Sequence, residues 1–162
     1  EGAACALGAA TREAALELSP LIAARDLAFA LEVAEGAERP AAIHPWLAGE
    51  LIRNLLHNAI RHSPEGGALG VCVQAGAAGS NTLTWTCWDQ GPGIAPELRE
   101  RVFEPFAQTG AATPAGAAPG HGLGLSICRA IVLSCGGGIA LDDQDRGAPQ
   151  PGLRVVATLP VA

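Results

Sequence analysis

The sequence predicts an α+β domain in which helices pack on one face of a sheet. Two observations indicate this class. Apolar residues recur at helical spacing in three separate parts of the chain, and alternating segments that flank polar turns lie between and after them. Because helices are mixed with hairpins along one chain, we expect both to share a single core.

The first half of the chain favours two helices separated by a strand. Residues 9–24 are apolar at helical spacing and contain no glycine, so we expect a helix there. Residues 27–33 alternate enough for a short strand. A longer helix should begin at Pro45, which suits a first helical turn, and should end near His62, before the turn at residues 63–67.

A hairpin and a mobile loop are predicted in the middle of the chain. Residues 69–75 and 82–88 alternate on either side of a polar turn and should pair as antiparallel strands. Residues 96–101 favour a short helix. The segment 107–119 is rich in Ala, Gly and Pro and poor in bulky side chains, which predicts a mobile loop.

The last part of the chain predicts a helix and a closing pair of strands. Residues 123–135 form an apolar helix that three glycines end, and residues 139–141 and 153–159 read as strands around a turn-rich segment. No internal repeat is visible. At 162 residues and 16.3 kDa, the chain fits one domain with one substantial core.

Composition argues against several classes of partner. The chain is 49% hydrophobic and 16% charged, which is typical of a globular domain. The net charge of −6 and the lack of a basic cluster argue against nucleic acid as the main partner. No apolar run reaches the roughly 18 residues of a membrane span, and no signal peptide is visible.

The cysteines are expected to be small buried residues in a reducing compartment. They are scattered, odd in number and form no CxxC pair, so metal binding by them is not expected. Their positions are Cys5, Cys72, Cys87, Cys128 and Cys135. Together with the lack of a membrane segment, this pattern predicts a cytosolic domain.

A polar stripe runs along the predicted long helix. Asparagine is a middling helix former, so two of them one turn apart need a reason. One interpretation is that an amide oxygen ligates Mg²⁺ beside bound phosphates, with an arginine adding positive charge. The alternative is an ordinary surface stripe, although a solvated face usually carries Glu and Lys. Four residues share this face by their spacing: Asn54, Asn58, Arg61 and His62.

Two glycine-rich turns are further candidates for ligand contact. The first reads DQGPGI from Asp89, where a carboxylate can accept a hydrogen bond from an exocyclic amine, and Gly91 and Gly93 let the backbone pass under a flat base. Taken alone, an aspartate before glycines is more typical of an ordinary turn. The second reads GHGLGLSI from Gly120 and precedes a helix, a natural phosphate site. It is neither a dinucleotide fingerprint nor a P-loop.

In this order, the motifs resemble those of the catalytic, ATP-binding domain of bacterial sensor histidine kinases. The resemblance covers nearly the whole chain and implies a Bergerat fold. In that two-layer α/β sandwich, a mixed, mostly antiparallel sheet is covered on one face by about three helices. It also implies a flexible lid over ATP at about residues 107–119. The segments that correspond to the N, G1, F and G2 boxes read NLLHNAIRHS from Asn54, DQGPGI from Asp89, VFEPF from Val102 and GHGLGLSI from Gly120.

The resemblance also implies roles for single residues. Asn58 matches the Mg²⁺ ligand, and Asn54 matches an amide near the phosphates. Asp89 matches the carboxylate that recognises the adenine amine. The other implied nucleotide contacts are Arg61, His62, Gly91, Gly93, Ile94, Phe103, Gly120, His121, Gly122, Leu123, Gly124 and Leu125, with Phe106 completing the F box.

Two features depart from the family pattern. Family members often carry Gly-Thr at the start of the last strand, where the threonine approaches the nucleotide, and Gly152-Leu153 stands here. We therefore expect that contact to be lost or replaced. We expect the dimerisation helix with its phosphoacceptor histidine to be absent from these 162 residues, because none of the internal histidines suits that role: His44, His57, His62 and His121. The resemblance thus assigns residues 1–162 to the catalytic domain, with the dimerisation domain elsewhere.

The residue at position 54 separates kinases from hydrolytic relatives. Gyrase, mismatch-repair and chaperone ATPases place a glutamate one turn before the metal-binding asparagine, where it activates water. Here that residue is Asn54, and an amide cannot act as a general base. Glu50 lies about 12 Å from Asn58 along the helix axis, too far to substitute. We therefore expect a kinase with little ATPase activity.

Two alternatives remain open at this point. An anti-sigma-type serine kinase uses the same nucleotide fold, although the VFEPF segment favours a histidine kinase. The second alternative is a regulatory module that binds nucleotide without catalysis, which the missing threonine mildly favours. For a histidine kinase, the expected partners are ATP, Mg²⁺, the dimerisation domain and a response regulator. The domain would lie in the cytoplasm, with the full-length protein in the inner membrane.

Overall fold

The computed structural model of the chain describes residues 2–105 and 124–162. These two ranges contain α-helices, strands and two single-turn 3₁₀ helices. In chain order they are α1 (Leu7–Glu17), α2 (Ser19–Ala24), β1 (Ala28–Val33), α3 (Pro45–His62), β2 (Ala68–Ala75), β3 (Thr82–Asp89), the 3₁₀ helices Pro96–Leu98 and Arg101–Phe103, α4 (Gly124–Ser134), β4 (Gly138–Asp143) and β5 (Leu153–Pro160).

The described strands form one five-stranded sheet in the order β1-β2-β3-β5-β4. β1 runs parallel to β2, and the other neighbouring pairs are antiparallel. Alternation along β3 and β5 places every second side chain in the core, while the residues between them are only partly buried. The inward-facing cross-strand pairs are Leu83 with Leu159, Trp85 with Ala157 and Cys87 with Val155.

Three helices cover the apolar face of the sheet. α3 lies in the middle of this layer, packs against β3, and has α1 and α4 as neighbours. The indole Nε1 of Trp85 donates a hydrogen bond of 2.8 Å to the hydroxyl of Thr11, which in turn donates to the carbonyl oxygen of Leu7 at 2.7 Å. These bonds satisfy two buried polar groups and fix α1 on the central strand.

The architecture confirms the predicted α+β class and both predicted strand pairs, with two local corrections. The helix expected over residues 9–24 is interrupted at Leu18, because Pro20 lacks the N–H that a continuous helix needs. The short helix expected over residues 96–101 is instead two 3₁₀ turns, closed by bonds between residues three apart such as Leu98 N–H to Ala95 O, 2.9 Å.

The cysteine prediction is correct in part. Cys5, Cys87 and Cys128 are buried free thiols, and burial raises the pKa of Cys87 well above its usual range and that of Cys128 to about 12. Cys72 and Cys135 are only partly buried, because one lies on the outer face of β2 and the other just after α4. No helix within the described ranges is both long and apolar enough to cross a membrane.

Candidate functional site

α3 presents the polar face that the sequence predicts. The helix begins at Pro45, and the Nδ1 atom of the preceding His44 accepts a hydrogen bond of 3.1 Å from the backbone N–H of Trp46. Its apolar side chains pack against the sheet and its neighbouring helices. Asn54 and Asn58 are half-buried, so their amides lie at the boundary between core and surface.

The amide of Asn54 is held in one orientation and lies beside the start of α4. Its Nδ2 atom donates a hydrogen bond of 2.8 Å to the carbonyl oxygen of Glu50, one turn earlier. This bond leaves Oδ1 as the free acceptor. A Cβ atom placed on Gly124 would lie 3.7 Å from that oxygen. The structure therefore brings together an asparagine of the N box and the first residue of α4.

Three further residues of this face have side chains with no partner in the described part of the chain. The amide of Asn58 is half-buried, whereas Arg61 and His62 are more exposed. Although the ring of His62 is partly exposed, enough protein surrounds it that desolvation lowers its pKa, and the charge of Arg61 lowers it further. A neutral, flat ring and a free cation thus sit at the end of α3.

Asp89 is a buried carboxylate at the end of the central strand β3, and it is 3% exposed. Its Oδ1 atom accepts two backbone hydrogen bonds, from Gly91 at 2.8 Å and from Leu153 at 3.3 Å. No described residue bonds to Oδ2. Burial raises the pKa of this carboxyl, and the two N–H bonds oppose that shift. The site therefore contains one positioned acceptor that still lacks a donor.

The DQGPGI turn is packed tightly between α3 and β5. A Cβ atom on Gly91 would collide with the carbonyl oxygen of His62, and one on Gly93, where φ is +75°, would lie 2.8 Å from the carbonyl oxygen of Gly152. The backbone N–H of Gly152 also donates to the carbonyl oxygen of Gly91 at 2.9 Å. Both glycines of the turn are therefore required by close backbone contacts.

Phe103 is buried beneath α4. The guanidinium of Arg129, on α4, lies over its ring at 5.1 Å from the centroid and donates to a carboxylate oxygen of Glu100 at 2.6 Å. Ile94 and Leu125 are partly buried against the core. The predicted site residues Phe106, Gly120, His121, Gly122 and Leu123, and the predicted lid at 107–119, lie outside the described residues.

The described site contains no ready-made metal cage. No group of three or more His, Cys, Asp or Glu side chains within the described residues could hold an ion. The end of α3 thus carries polar groups of another kind. They are the amides of Asn54 and Asn58, the buried carboxylate of Asp89 and the glycine turn that follows it.

This arrangement has a match among known domain families. The model of the histidine kinase-, DNA gyrase B- and HSP90-like ATPases matches residues 45–162, which include α3, the DQGPGI turn and all strands after β1. The chain belongs to this ATPase family.

Individual relatives agree with the family. The signal transduction histidine-protein kinase/phosphatase MprB of Mycolicibacterium smegmatis is 41% identical over 112 residues, which are 69% of this chain and 22% of that protein. The solved structure of the mycobacterial sensor histidine kinase MprB has a TM-score of 0.81 at 30% identity, covering 99% of this chain and 98% of that one. The catalytic domain of histidine kinase ThkA gives 0.80 at 25% identity, over 99% of this chain and 96% of that one.

These comparisons confirm the predicted family and the Bergerat fold. The chain is an ATP-binding domain of the histidine kinase type. It spans 22%, 25% and 20% of the length of three curated kinases that it matches.

The departure at Leu153 has a structural explanation. Leu153 has no hydroxyl to offer a ligand, and the residue is 5% exposed and packs in the core. Its backbone N–H bonds to Asp89 instead. Residue identity does not reveal a backbone donor, so the sequence signals this group only through the position of the expected Gly-Thr pair.

The carboxylate of Glu50 forms an ion pair with Arg53. One of its oxygens lies 3.3 Å from a guanidinium nitrogen of Arg53 on the same helix. The residue one turn before Asn58 is Asn54, whose amide bonds to the Glu50 carbonyl oxygen. Neither side chain is arranged as a general base.

Proposed function

We propose that this domain transfers the γ-phosphate of ATP to a histidine on a separate dimerisation domain in two-component signal transduction. The observation that carries this proposal is Asn54. Its amide is bonded to the Glu50 carbonyl oxygen, and the Glu50 carboxylate is paired with Arg53. No group at this position can remove a proton from water, so transfer to a protein acceptor is favoured over hydrolysis.

On this proposal, the adenine lies against the DQGPGI turn. The free Oδ2 of Asp89 accepts a hydrogen bond from the exocyclic amine, while Oδ1 stays bonded to the backbone N–H groups of Gly91 and Leu153. The neutral ring of His62 packs against the base. A purine with a carbonyl in place of the amine would face the carboxylate with an acceptor, which favours adenine over guanine.

The phosphates would lie between the amide face of α3 and the start of α4. The amide oxygen of Asn58 has no partner among the described residues and is a hard oxygen ligand, the kind that Mg²⁺ prefers. Asn58 would therefore hold Mg²⁺, with the phosphates and water completing its coordination, as expected of a site without a carboxylate cage. When bound, Mg²⁺ supplies positive charge that offsets the charge of the phosphates.

The protein's own part in the reaction is positioning and charge. The Oδ1 of Asn54 faces Gly124, so it can orient a donor between α3 and α4. Arg61, at the end of the same face, is a cation with no hydrogen-bond or ion-pair partner among the described residues. Phosphoryl transfer depends mainly on such placement, and the nucleophile is the external histidine. The reaction moves the γ-phosphoryl group from ATP to an imidazole nitrogen and leaves ADP.

The partners and location follow from the same proposal. Residues 1–162 would form the catalytic domain, and a separate dimerisation domain and a response regulator would complete the system. The domain acts in the cytoplasm, and the full-length kinase resides in the bacterial inner membrane. This chain spans 22% and 25% of two relatives named as signal transduction histidine-protein kinases, and their greater length supports a dimerisation domain outside residues 1–162.

A phosphotransfer assay tests the proposal. The chain is mixed with the cognate dimerisation domain and with ATP labelled on the γ-phosphate, and acid-labile label on the acceptor histidine is followed. We expect transfer that needs Mg²⁺ and that Asn58→Ala abolishes, while His57→Ala, on the exposed side of α3, leaves it intact. Label on serine would instead identify a serine kinase, and binding of ATP without transfer would identify a regulatory module.

A further inference from the structure

The guanidinium of Arg99 bridges two parts of the chain that flank the site. Its Nε atom donates a hydrogen bond of 3.1 Å to the carbonyl oxygen of Ile94, at the exit of the DQGPGI turn. Its Nη2 atom donates to the Oδ1 atom of Asp143 at 2.8 Å, at the end of β4. The Arg99 side chain is 21% exposed, so this bridge lies mostly out of solvent.

The Ile94 bond adds a hydrogen-bonded anchor at the exit of the turn. The entrance of the turn has several anchors, among them the bond from Gly91 to Asp89 and the bond from Gly152 to Gly91. Within the described ranges, Arg99 provides the only hydrogen bond to the backbone of residues 92–94. The backbone at Ile94 is therefore held by core packing of its side chain and by this one bond from Arg99.

Asp143 fixes Arg99 relative to the adenine-binding acid. In the β4–β5 ladder, Asp143 is the direct cross-strand partner of Leu153. The backbone N–H of Leu153 is the group that bonds to Asp89. Asp89 and Ile94 are thus both connected to the cross-strand pair Asp143 and Leu153. Asp89 accepts a bond from the Leu153 N–H, and Ile94 is linked to Asp143 through Arg99.

We propose that Arg99 is a positioning residue that sets the spacing between Ile94 and Asp89 and so the shape of the adenine pocket. This inference rests on the proposed adenine contact of Asp89. Arg99 itself does not touch the nucleotide. Arginine is required because one planar group must donate in two directions at once, and lysine can keep the Asp143 ion pair without reaching Ile94 at the same time.

The test compares Arg99→Lys with a matched control, Arg146→Lys. Arg146 pairs with the neighbouring Asp142 at 3.4 Å and is 82% exposed, so its replacement alters the same acidic end of β4 without touching the turn. The measurements are the dissociation constants of Mg-ADP and Mg-GDP by titration calorimetry, the KM for ATP and kcat in phosphotransfer, and the melting temperature of the free chain.

We expect Arg99→Lys to weaken ADP binding about tenfold, which is about 1.4 kcal/mol. GDP binding should change less, so the preference for ADP falls. The KM for ATP should rise in parallel, kcat should stay within about twofold, and the control should match the wild type. Asp143→Asn keeps an acceptor oxygen but loses the charge, and we expect a smaller loss of about threefold.

The proposal is overturned if Arg99→Lys lowers the melting temperature while ADP affinity stays within twofold of wild type. It is also overturned if kcat falls and KM does not. A wild-type chain that binds ADP and GDP equally would instead contradict the proposed role of Asp89, which separates failure of the adenine site from failure of the Arg99 bridge.

Discussion

Replacement of Asp89 by asparagine separates nucleotide recognition from folding. The variant keeps the shape of the side chain, and its Oδ1 atom can still accept the bonds from Gly91 at 2.8 Å and Leu153 at 3.3 Å. Only the second atom changes, from a charged acceptor to an N–H donor. That donor faces the adenine amine, so a favourable contact becomes a repulsive one.

The magnitude follows from that single exchange. A hydrogen bond to a charged acceptor contributes about 1.5–3 kcal/mol, which corresponds to roughly a 10- to 150-fold loss of ADP affinity. Titration calorimetry with Mg-ADP measures it directly. Affinity for Mg-IDP, which has a carbonyl in place of the exocyclic amine, should not fall, because the new amide N–H can donate to that carbonyl. A loss of less than threefold for ADP, in a folded variant, would refute the placement of adenine at Asp89.

The same variant has an opposite effect on stability. Because burial raises the pKa of Asp89, its proton is held more tightly in the folded state than in the unfolded chain. The wild type therefore loses stability as pH rises from the unfolded pKa of about 4 through the higher folded pKa. Asp89→Asn removes this loss, so its unfolding free energy relative to wild type should increase over that range. Urea titrations at several pH values measure the difference.

Three further substitutions have defined outcomes. Gly91→Ala places a Cβ against the carbonyl oxygen of His62, so we expect the free energy of unfolding in urea to fall by about 2 kcal/mol or more and ADP binding to weaken. The control Gly138→Ala places its Cβ in open space and should change neither quantity. Leu153→Thr removes buried apolar surface, so the unfolding free energy should fall by about 1–3 kcal/mol. The backbone N–H that bonds to Asp89 is kept, so the ADP dissociation constant should stay within about threefold of wild type. A large loss of affinity would show that the Leu153 side chain contributes to nucleotide binding. Glu50→Gln should leave the slow ATP hydrolysis of the chain unchanged in a phosphate-release assay, and a severalfold loss would identify Glu50 as a base.

The sequence alone predicts most of the architecture, because periodicity reflects burial directly. The alternation of β3 and β5 matches their inward-facing residues, and the polar stripe on α3 is where its spacing places it. The break at Leu18 was missed, although Pro20 was visible in the sequence, since apolar spacing continues through it. The parallel partner of β1 has no local signal, because strand order depends on contacts between distant segments.

The site is predictable as a set of side chains and much less as a geometry. Motif and residue type are enough to predict Asp89, Asn54 and Asn58 as site residues. The backbone donor at Leu153 and the close backbone contact that requires Gly91 depend on how β5 and α3 pack against the turn. Arg99 was also outside the prediction. Its two acceptors lie 5 and 44 residues away in sequence, and only the fold brings them to one guanidinium.

The fate of the γ-phosphate in a single turnover tests the central claim most directly. The chain is loaded with labelled ATP and Mg²⁺, and the reaction is quenched at intervals with and without the histidine-bearing dimerisation domain. With Asn54 in place of a general base, label should accumulate on the acceptor histidine, and free phosphate should form slowly whether or not the acceptor is present. Rapid release of phosphate by the chain alone, with no label on histidine when the acceptor is supplied, would contradict the account.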